Sequence, residues 1–311
     1  MSARTVPSHF WGALGVGAAA LLWATDSLFR VPALASLDPV FIVLCEHLIG
    51  VIFLSPWPIL PSLGGLFRMR ISQVFGLLTV GAGGSALATV LFTMSFRDIH
   101  PSVAILLQKL QPIFVLILAS IFLKEKLHAR FLKWAALALL AGFILSFPDL
   151  DFSFLRGETN SQNRGVFFAV GAALLWATST VVGKKLLTGI SPLQLTGWRY
   201  LFGFLTLVIY ISQSQIAWSW GVLYEDRIAL RSVLLMSLVS GLFAMFLYYQ
   251  GLVRTRATTA TLMELLFPVA AVLLNAWVLD RPLELMQVSA GLVLLIAVTR
   301  ISFLRLPSVQ E

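Results

Sequence analysis

The chain has 311 residues, of which 59 % are apolar and 12 % charged, with a formal net charge of +8. That charged share is about half of what a soluble globular domain carries, and a mean hydropathy of +0.91 places the chain among multi-pass membrane proteins. A soluble enzyme and a disordered protein are excluded, and the basic residues, lying between long apolar runs, read as topology signals rather than as a nucleic-acid surface.

In chain order, apolar runs of about 20 residues, the length that crosses a bilayer, predict spans over 10–30, 39–60, 71–96, 101–123, 129–147, 164–187, 192–212, 230–253, 257–279 and 284–304. The expected fold is an all-α polytopic membrane protein with ten transmembrane helices. The first run is long enough to span and ends in Asp26 and Arg30 rather than in a small-residue cleavage site, so it reads as a membrane helix and not as a signal peptide. Two connections are longer: 148–163, which is polar, and 213–229, where Trp218 and Trp220 predict an interfacial stretch. With the N-terminus in the cytoplasm, 13 Lys and Arg fall on the inner side and 7, Arg30 among them, on the outer side. The excess marks the cytoplasmic side, so both termini are expected inside. The single cysteine, Cys45, excludes a disulfide framework and any Cys-based metal or redox cluster.

The run Ala19-Ala20-Leu21-Leu22-Trp23-Ala24-Thr25 recurs as Ala172-Ala173-Leu174-Leu175-Trp176-Ala177-Thr178, an offset of 153 that also carries Pro39 onto Pro192 and Gly50 onto Gly203. An offset of 156 maps Pro112 onto Pro268 and Leu123-Lys124-Glu125-Lys126-Leu127 onto Leu279-Asp280-Arg281-Pro282-Leu283. Near-constant offsets at both ends of a half indicate duplication. The expected organisation is a first five-helix copy over 1–147, a connecting loop over 148–163 and a second copy over 164–306. Five is odd, so the copies enter the membrane from opposite sides as inverted repeats, an arrangement on which many secondary transporters are built, with the substrate between the copies.

Ten spans in two copies, the Ala-Leu-Leu-Trp-Ala block opening each, and a Pro followed about a dozen residues later by Leu-x-Glu-x-Leu make the chain similar to the EamA branch of the drug/metabolite transporter superfamily. The likeness runs through Trp23, Pro112 and Glu125 and departs in the second copy, where Arg281 stands in place of the acid and Pro282 follows it. The resemblance implies a transporter of a bacterial inner (plasma) membrane that exports amino acids, their derivatives or amphipathic metabolites.

Ionisable groups inside apolar spans are costly and face a cavity, a partner or a pathway. Here they are Asp26, Glu46, His47, Lys109, Arg199 and Glu264. Depth, at about 1.5 Å of rise per residue, matches Glu46 with Lys109 toward the outer side and Arg199 with Glu264 toward the inner side. These pairs read either as structural clasps or as gates and substrate-facing groups. A buried carboxylate that loses its partner can take a proton, which makes Glu46 and Glu264 candidates for proton coupling. Asp26 reads as part of a solvated vestibule and His47 as a hydrogen-bonded packing residue. Trp23 and Trp176 lie near the midplane, away from the interfaces that membrane tryptophans prefer, and read as walls of a central cavity able to stack on an aromatic substrate or hold an ammonium group, or as core packing. Gln108, Gln111, Trp198, Tyr200, Tyr248, Tyr249 and Gln250 are further polar candidates in the same helices, since uncharged polar groups there need hydrogen-bond partners. Pro112 and Pro268 are expected to bend their spans and free backbone carbonyls.

The sequence thus points to a secondary transporter exporting small organic metabolites such as amino acids or amphipathic amines by alternating access. A specific proton-coupled importer of an amine or amino acid is the alternative within that class. A membrane enzyme or a non-transporting assembly module is the alternative outside it. No His-Glu-x-x-His, Gly-x-Ser-x-Gly or phosphate loop is present, so no cofactor, metal or ATP-driven step is expected. The expected partners are a small-molecule substrate and the lipid bilayer, and the sequence fixes no oligomeric state.

Overall fold

The computed structural model describes residues 8–66, 69–123, 129–149, 160–187, 189–252, 254 and 263–303. Its long helices are α1 (Trp11–Ala33), α2 (Pro39–Ser62), α3 (Ile71–Asp98), α4 (Pro101–Leu118), α5 (Ala129–Ser146), α6 (Ser161–Gly183), α7 (Pro192–Gln213), α8 (Arg227–Tyr248), α9 (Leu266–Val278) and α10 (Leu285–Ile301). Among the described residues, α1–α4 and α6–α8 are the seven long and apolar enough to cross a membrane, α9 and α10 are shorter apolar helices, and no strand occurs. The ten expected spans are thus answered by seven candidate crossings and three further helices. The Leu123–Leu127 motif and most of the 148–163 loop lie outside the described residues.

Local sequence explains where the helices start and stop. Pro39, Pro101 and Pro192 each open a helix at its first position, where the missing N–H costs nothing. The residue before each supplies a cap: Asp38 accepts from the Val40 N–H, His100 from Ser102 and Ser191 from Gln194. Asp226 caps α8, accepting from Ile228 and Ala229 and from the Ser36 hydroxyl. Beyond α9, Asp280 adopts φ 50°, a left-handed stop that Asp tolerates, and Arg281 and Pro282 follow it into the connection.

Several helices are interrupted. In α4 the N–H groups of Lys109, Leu110 and Ile113 bond three residues back, a tightened turn just before Pro112, which brings no N–H to the Gln108 carbonyl. A turn at Leu265 precedes Pro268 in the same way. Regular helical bonding is thus interrupted just before each proline. Widened π turns occupy Thr79–Leu87 in α3 and Met236–Phe243 in α8, and α1 carries a turn at Thr25.

The packing comes in matched sets. α1 lies against α8 and α9, α6 lies against α3 and α4, α2 crosses α7, and α5 lies along α10. Small residues bring the backbones together. Gly50 is pressed against the Tyr200 ring, and Gly203 against the His47 ring, with the two rings 5.4 Å apart. A methyl on Gly12 would stand 2.8 Å from the Arg254 backbone, and one on Gly165 would stand 2.7 Å from Asp98 Cβ. A large apolar core, including Leu107, Ile113, Ala138, Leu145, Ala172, Ala271 and Leu294, joins α4, α5, α6, α9 and α10.

Candidate functional site

Four clusters hold the polar side chains singled out from the sequence. The first lies where α1, α4, α8 and α9 meet. Trp23 packs on Tyr248, with ring centroids 5.1 Å apart, and the Tyr248 hydroxyl donates to Glu264 Oε1 at 2.8 Å. Glu264 is near enough for its charge to act on Lys109, whose Nζ stands 4.6 Å from the centre of the Phe267 ring, a cation–π distance. Gln108, next to Lys109, has a buried Oε1 with no hydrogen-bond partner among the described residues.

The second cluster lies between α3, α4 and α6. Trp176 meets Phe92 edge to face at 5.2 Å, and Gln111 Nε2 donates to Thr180 Oγ1 at 3.3 Å. The tryptophans are thus placed alike: each stands on an aromatic ring contributed by the other half of the chain, Tyr248 for Trp23 and Phe92 for Trp176.

The third cluster corrects the sequence reading of Glu46. Its partner is Arg30, not Lys109. Arg30 is 3 % exposed and all five of its N–H bonds are engaged. Nε and Nη2 donate to the Asp26 carboxylate at 2.7 and 2.8 Å, Nη1 and Nη2 to the Glu46 carboxylate at 3.0 and 2.9 Å, and Nη1 also to Thr93 Oγ1 at 2.8 Å. The Ser240 hydroxyl donates to Asp26 from α8 at 3.4 Å. Arg30 is therefore buried among the helices rather than a free outer charge, and Asp26 is its ion-pair partner. The turn at Thr25 restarts the helix at Asp26, so Asp26 and Arg30 share one face four residues apart, turned toward α2 and α3.

The fourth cluster corrects the other pair. Arg199 Nε donates to Ser85 Oγ at 3.1 Å, and its partner is not Glu264, which is held by Tyr248 beside Lys109. His47 bonds the same hydroxyl through Nε2 at 2.9 Å and the Val43 carbonyl through Nδ1 at 2.8 Å; it is the hydrogen-bonded packing residue expected of it. Equal depth had matched residues on helices that do not face each other: α2 meets α7 and α8, and α4 meets α9.

Of the remaining candidates, Trp198 is 1 % exposed in a small core with Leu77, Val80, Leu186 and Ile190, its ring 6.0 Å from that of Phe202. Tyr200 faces His47. Gln250 is exposed, and the side chain of Tyr249 lies outside the described residues. Arg30, Thr93 and Ser85 were missed, as was a buried chain in which Ser27 donates to Asn275 at 2.7 Å and Asn275 to Ser102 at 3.0 Å. The acid-then-base spacing of Asp26 and Arg30 was the available signal for the first. A cleft of about 710 Å³ opens elsewhere, between α4, α5 and α6, lined by Phe114, Phe143, Phe147 and Phe167 with Asn160 and Arg164 at one end.

A model of the EamA-like transporter family matches residues 10–147 and again 163–303. The chain belongs to the EamA-like transporter family. It is 30 % identical, over 95 % of its length and 98 % of the relative's, to the riboflavin transporter ImpX of Fusobacterium nucleatum. An inner membrane transporter of Escherichia coli, YhbE, is 25 % identical over 57 % of this chain and 54 % of its own. One crystal structure superposes with a TM-score of 0.59 at 16 % identity, covering 96 % of this chain and 99 % of the other, a likeness of fold. The family and these relatives make the chain a multi-pass membrane transporter of a small molecule rather than an enzyme.

Proposed function

We propose that the protein is a secondary transporter that works by alternating access between two inverted five-helix copies, residues 1–147 and 164–306, joined by the 148–163 loop, with both termini in the cytoplasm. The contacts that exchange between halves support the repeat. The offset of 153 turns the Gly50–Tyr200 contact into the Gly203–His47 contact, and the interruptions at Lys109 and Leu265 and the π turns of α3 and α8 recur at nearly the offset that carries Pro112 onto Pro268. Two family matches in one chain point the same way. Rocking one copy against the other around a central site is the motion that such repeats support. A reporter fused to the C-terminus and found on the outer face would overturn the orientation.

The substrate we propose is a flat heterocyclic metabolite of the riboflavin kind, bound between Trp23 and Trp176 beside Gln108, Gln111, Lys109 and Glu264. The observation that carries this is the matched placement of the two tryptophans, Trp23 on Tyr248 and Trp176 on Phe92. Stacking on such rings favours planar ligands. The relative named for riboflavin is aligned over nearly the whole of both chains.

Glu264 favours a second reading, export of amino acids or amphipathic amines, since an ammonium group could take the place of the Tyr248 hydroxyl at its carboxylate. Reconstituted vesicles of both orientations separate the two. Saturable riboflavin flux, lowered at least about tenfold in Trp176→Ala and not competed by amines, is the expected result. Flux of amines or amino acids without riboflavin flux would establish the second reading instead.

A further inference from the structure

We propose that Gln108 and Lys109 together read an imide edge, a ring N–H flanked by carbonyl oxygens, on the substrate. This deepens the binding reading above and rests on it.

The starting point is a difference between two places that the repeat makes equivalent. The offset of 156 carries Phe92 onto Tyr248 and Gln108 onto Glu264. At Glu264 the acceptor is satisfied, because the Tyr248 hydroxyl donates to it at 2.8 Å. Phe92 has no hydroxyl to offer, and the corresponding acceptor, Gln108 Oε1, is buried with no partner among the described residues. A buried amide oxygen left without a donor costs about 1–3 kcal/mol, so native proteins pair such atoms or reserve them for something that arrives.

A second observation at the same residue points the same way. Pro112 stands four residues beyond Gln108 and carries no N–H, so the helical donor that the Gln108 carbonyl would otherwise receive is missing. The chain has tightened to three-residue bonds at Lys109 and Leu110. Gln108 thus stands at a break in α4 with an unpaired side-chain oxygen, and what that oxygen requires is a donor.

Lys109 decides which kind of donor. Its ammonium, on the Phe267 ring at 4.6 Å, is the neighbour of Gln108 in the chain, and a cationic donor beside it would be repelled. A neutral N–H meets the requirement. Lys109, with three donors and no acceptor, calls for an oxygen next to that N–H, and the Gln108 Nε2 donor can meet a second one. A neutral N–H between two carbonyl oxygens is an imide, as found on the pyrimidine-like ring of flavins and on uracil. The amide of Gln108 and that edge pair side by side, N–H to Oε1 and Nε2–H to oxygen, while Lys109 holds an oxygen. An ammonium-bearing substrate would have to use Glu264 instead, so the two residues that the repeat makes equivalent select different chemistry.

The test needs no variant to begin with. Tryptophan quenching of the detergent-purified full chain is titrated with riboflavin, with riboflavin methylated at the imide nitrogen, and with uridine. The methyl group removes the donor and leaves the ring system. The methylated flavin is expected to bind at least about tenfold more weakly than riboflavin, the loss produced by one unpaired polar group. In Gln108→Leu that ratio should collapse toward one, through weaker binding of riboflavin and not of the methylated ligand. Equal affinities for the two flavins in the unaltered protein would overturn the imide reading and leave the heterocycle reading standing. Binding of amines or amino acids with none of riboflavin, its methylated form or uridine would overturn both. Binding of none of the probes overturns the imide reading, and vesicle flux then decides the transport class.

Discussion

Arg30 and Arg199 each place a guanidinium among apolar helices, and their surroundings differ. Arg30 directs four hydrogen bonds to two carboxylates and a fifth to Thr93. Arg199 bonds a serine hydroxyl that it shares with His47. The offset of 153 carries Glu46 onto Arg199, Asp26 onto Ser179 and Arg30 onto Gly183, so corresponding places in the two halves hold three charges in one case and one in the other. A cluster with two acids and one base must be assembled or broken as a unit, because any member that leaves strands a charge in an apolar setting. A guanidinium on a hydroxyl can slide away and lose one hydrogen bond. Separating the helices at the two clusters therefore carries different costs.

The sharpest way to break this comparison is to remove each guanidinium in turn. Arg30→Leu leaves Asp26 and Glu46 facing each other without a cation and is expected to cost about 3–5 kcal/mol, read as a lower thermal midpoint and lower yield in detergent. Arg199→Leu leaves Ser85 and His47 with each other and should cost about 1 kcal/mol. Equal losses would mean that the clusters do the same work. Adding Glu46→Gln to an Arg30→Gln protein should cost less than the two changes do separately, since the groups share one network; simple additivity would argue that the network is not coupled.

Next in size is the crossing of α2 and α7, the place where the halves are alike rather than different. Gly50→Ala pushes a methyl into the Tyr200 ring and Gly203→Ala pushes one into His47. Each is expected to destabilise by about 1–3 kcal/mol, and the two by similar amounts. A large inequality would show that the crossing is not symmetric in energy, whatever its geometry.

How much of this was legible in the sequence depends on the range of the contact involved. The Ala-Leu-Leu-Trp-Ala block, the helix-opening prolines and the Pro112 and Pro268 breaks are local signals, and the helices follow them. The two tryptophans were legible as a pair because the repeat copied them. Partners across helices were not. Depth along a span locates a residue in one dimension, while pairing depends on which face each helix turns to which neighbour, so Glu46 was matched with Lys109 although α2 faces α7 and α8. Arg30 was counted among the outer charges because Asp26 reads as the end of an apolar run, whereas the turn at Thr25 lets the helix continue with a polar face.

The smallest expected effect concerns the end of the molecule that already holds the Arg30 cluster. Arg97 donates to the Leu37 carbonyl there at 2.9 Å. His100 ties the α3–α4 connection to the one after α9: Nδ1 accepts from the Ser102 N–H at 3.1 Å, and Nε2 donates to the Arg281 carbonyl at 2.9 Å. Only the neutral ring with its proton on Nε2 does both. Burial holds the His100 pKa below the ordinary imidazole value; the bond to Arg281 opposes this, and the Arg281 charge adds to it. A histidine whose folded pKa is lowered contributes stability that is fully present above the unfolded value of about 6.5 and is lost as pH falls below it toward the folded pKa. The thermal midpoint of the protein should therefore fall on acidification through that window by more than that of His100→Asn, which keeps a capping oxygen and does not titrate. Parallel curves for the two proteins would free this end of any pH-dependent tie and leave the contrast between the Arg30 and Arg199 clusters as it stands.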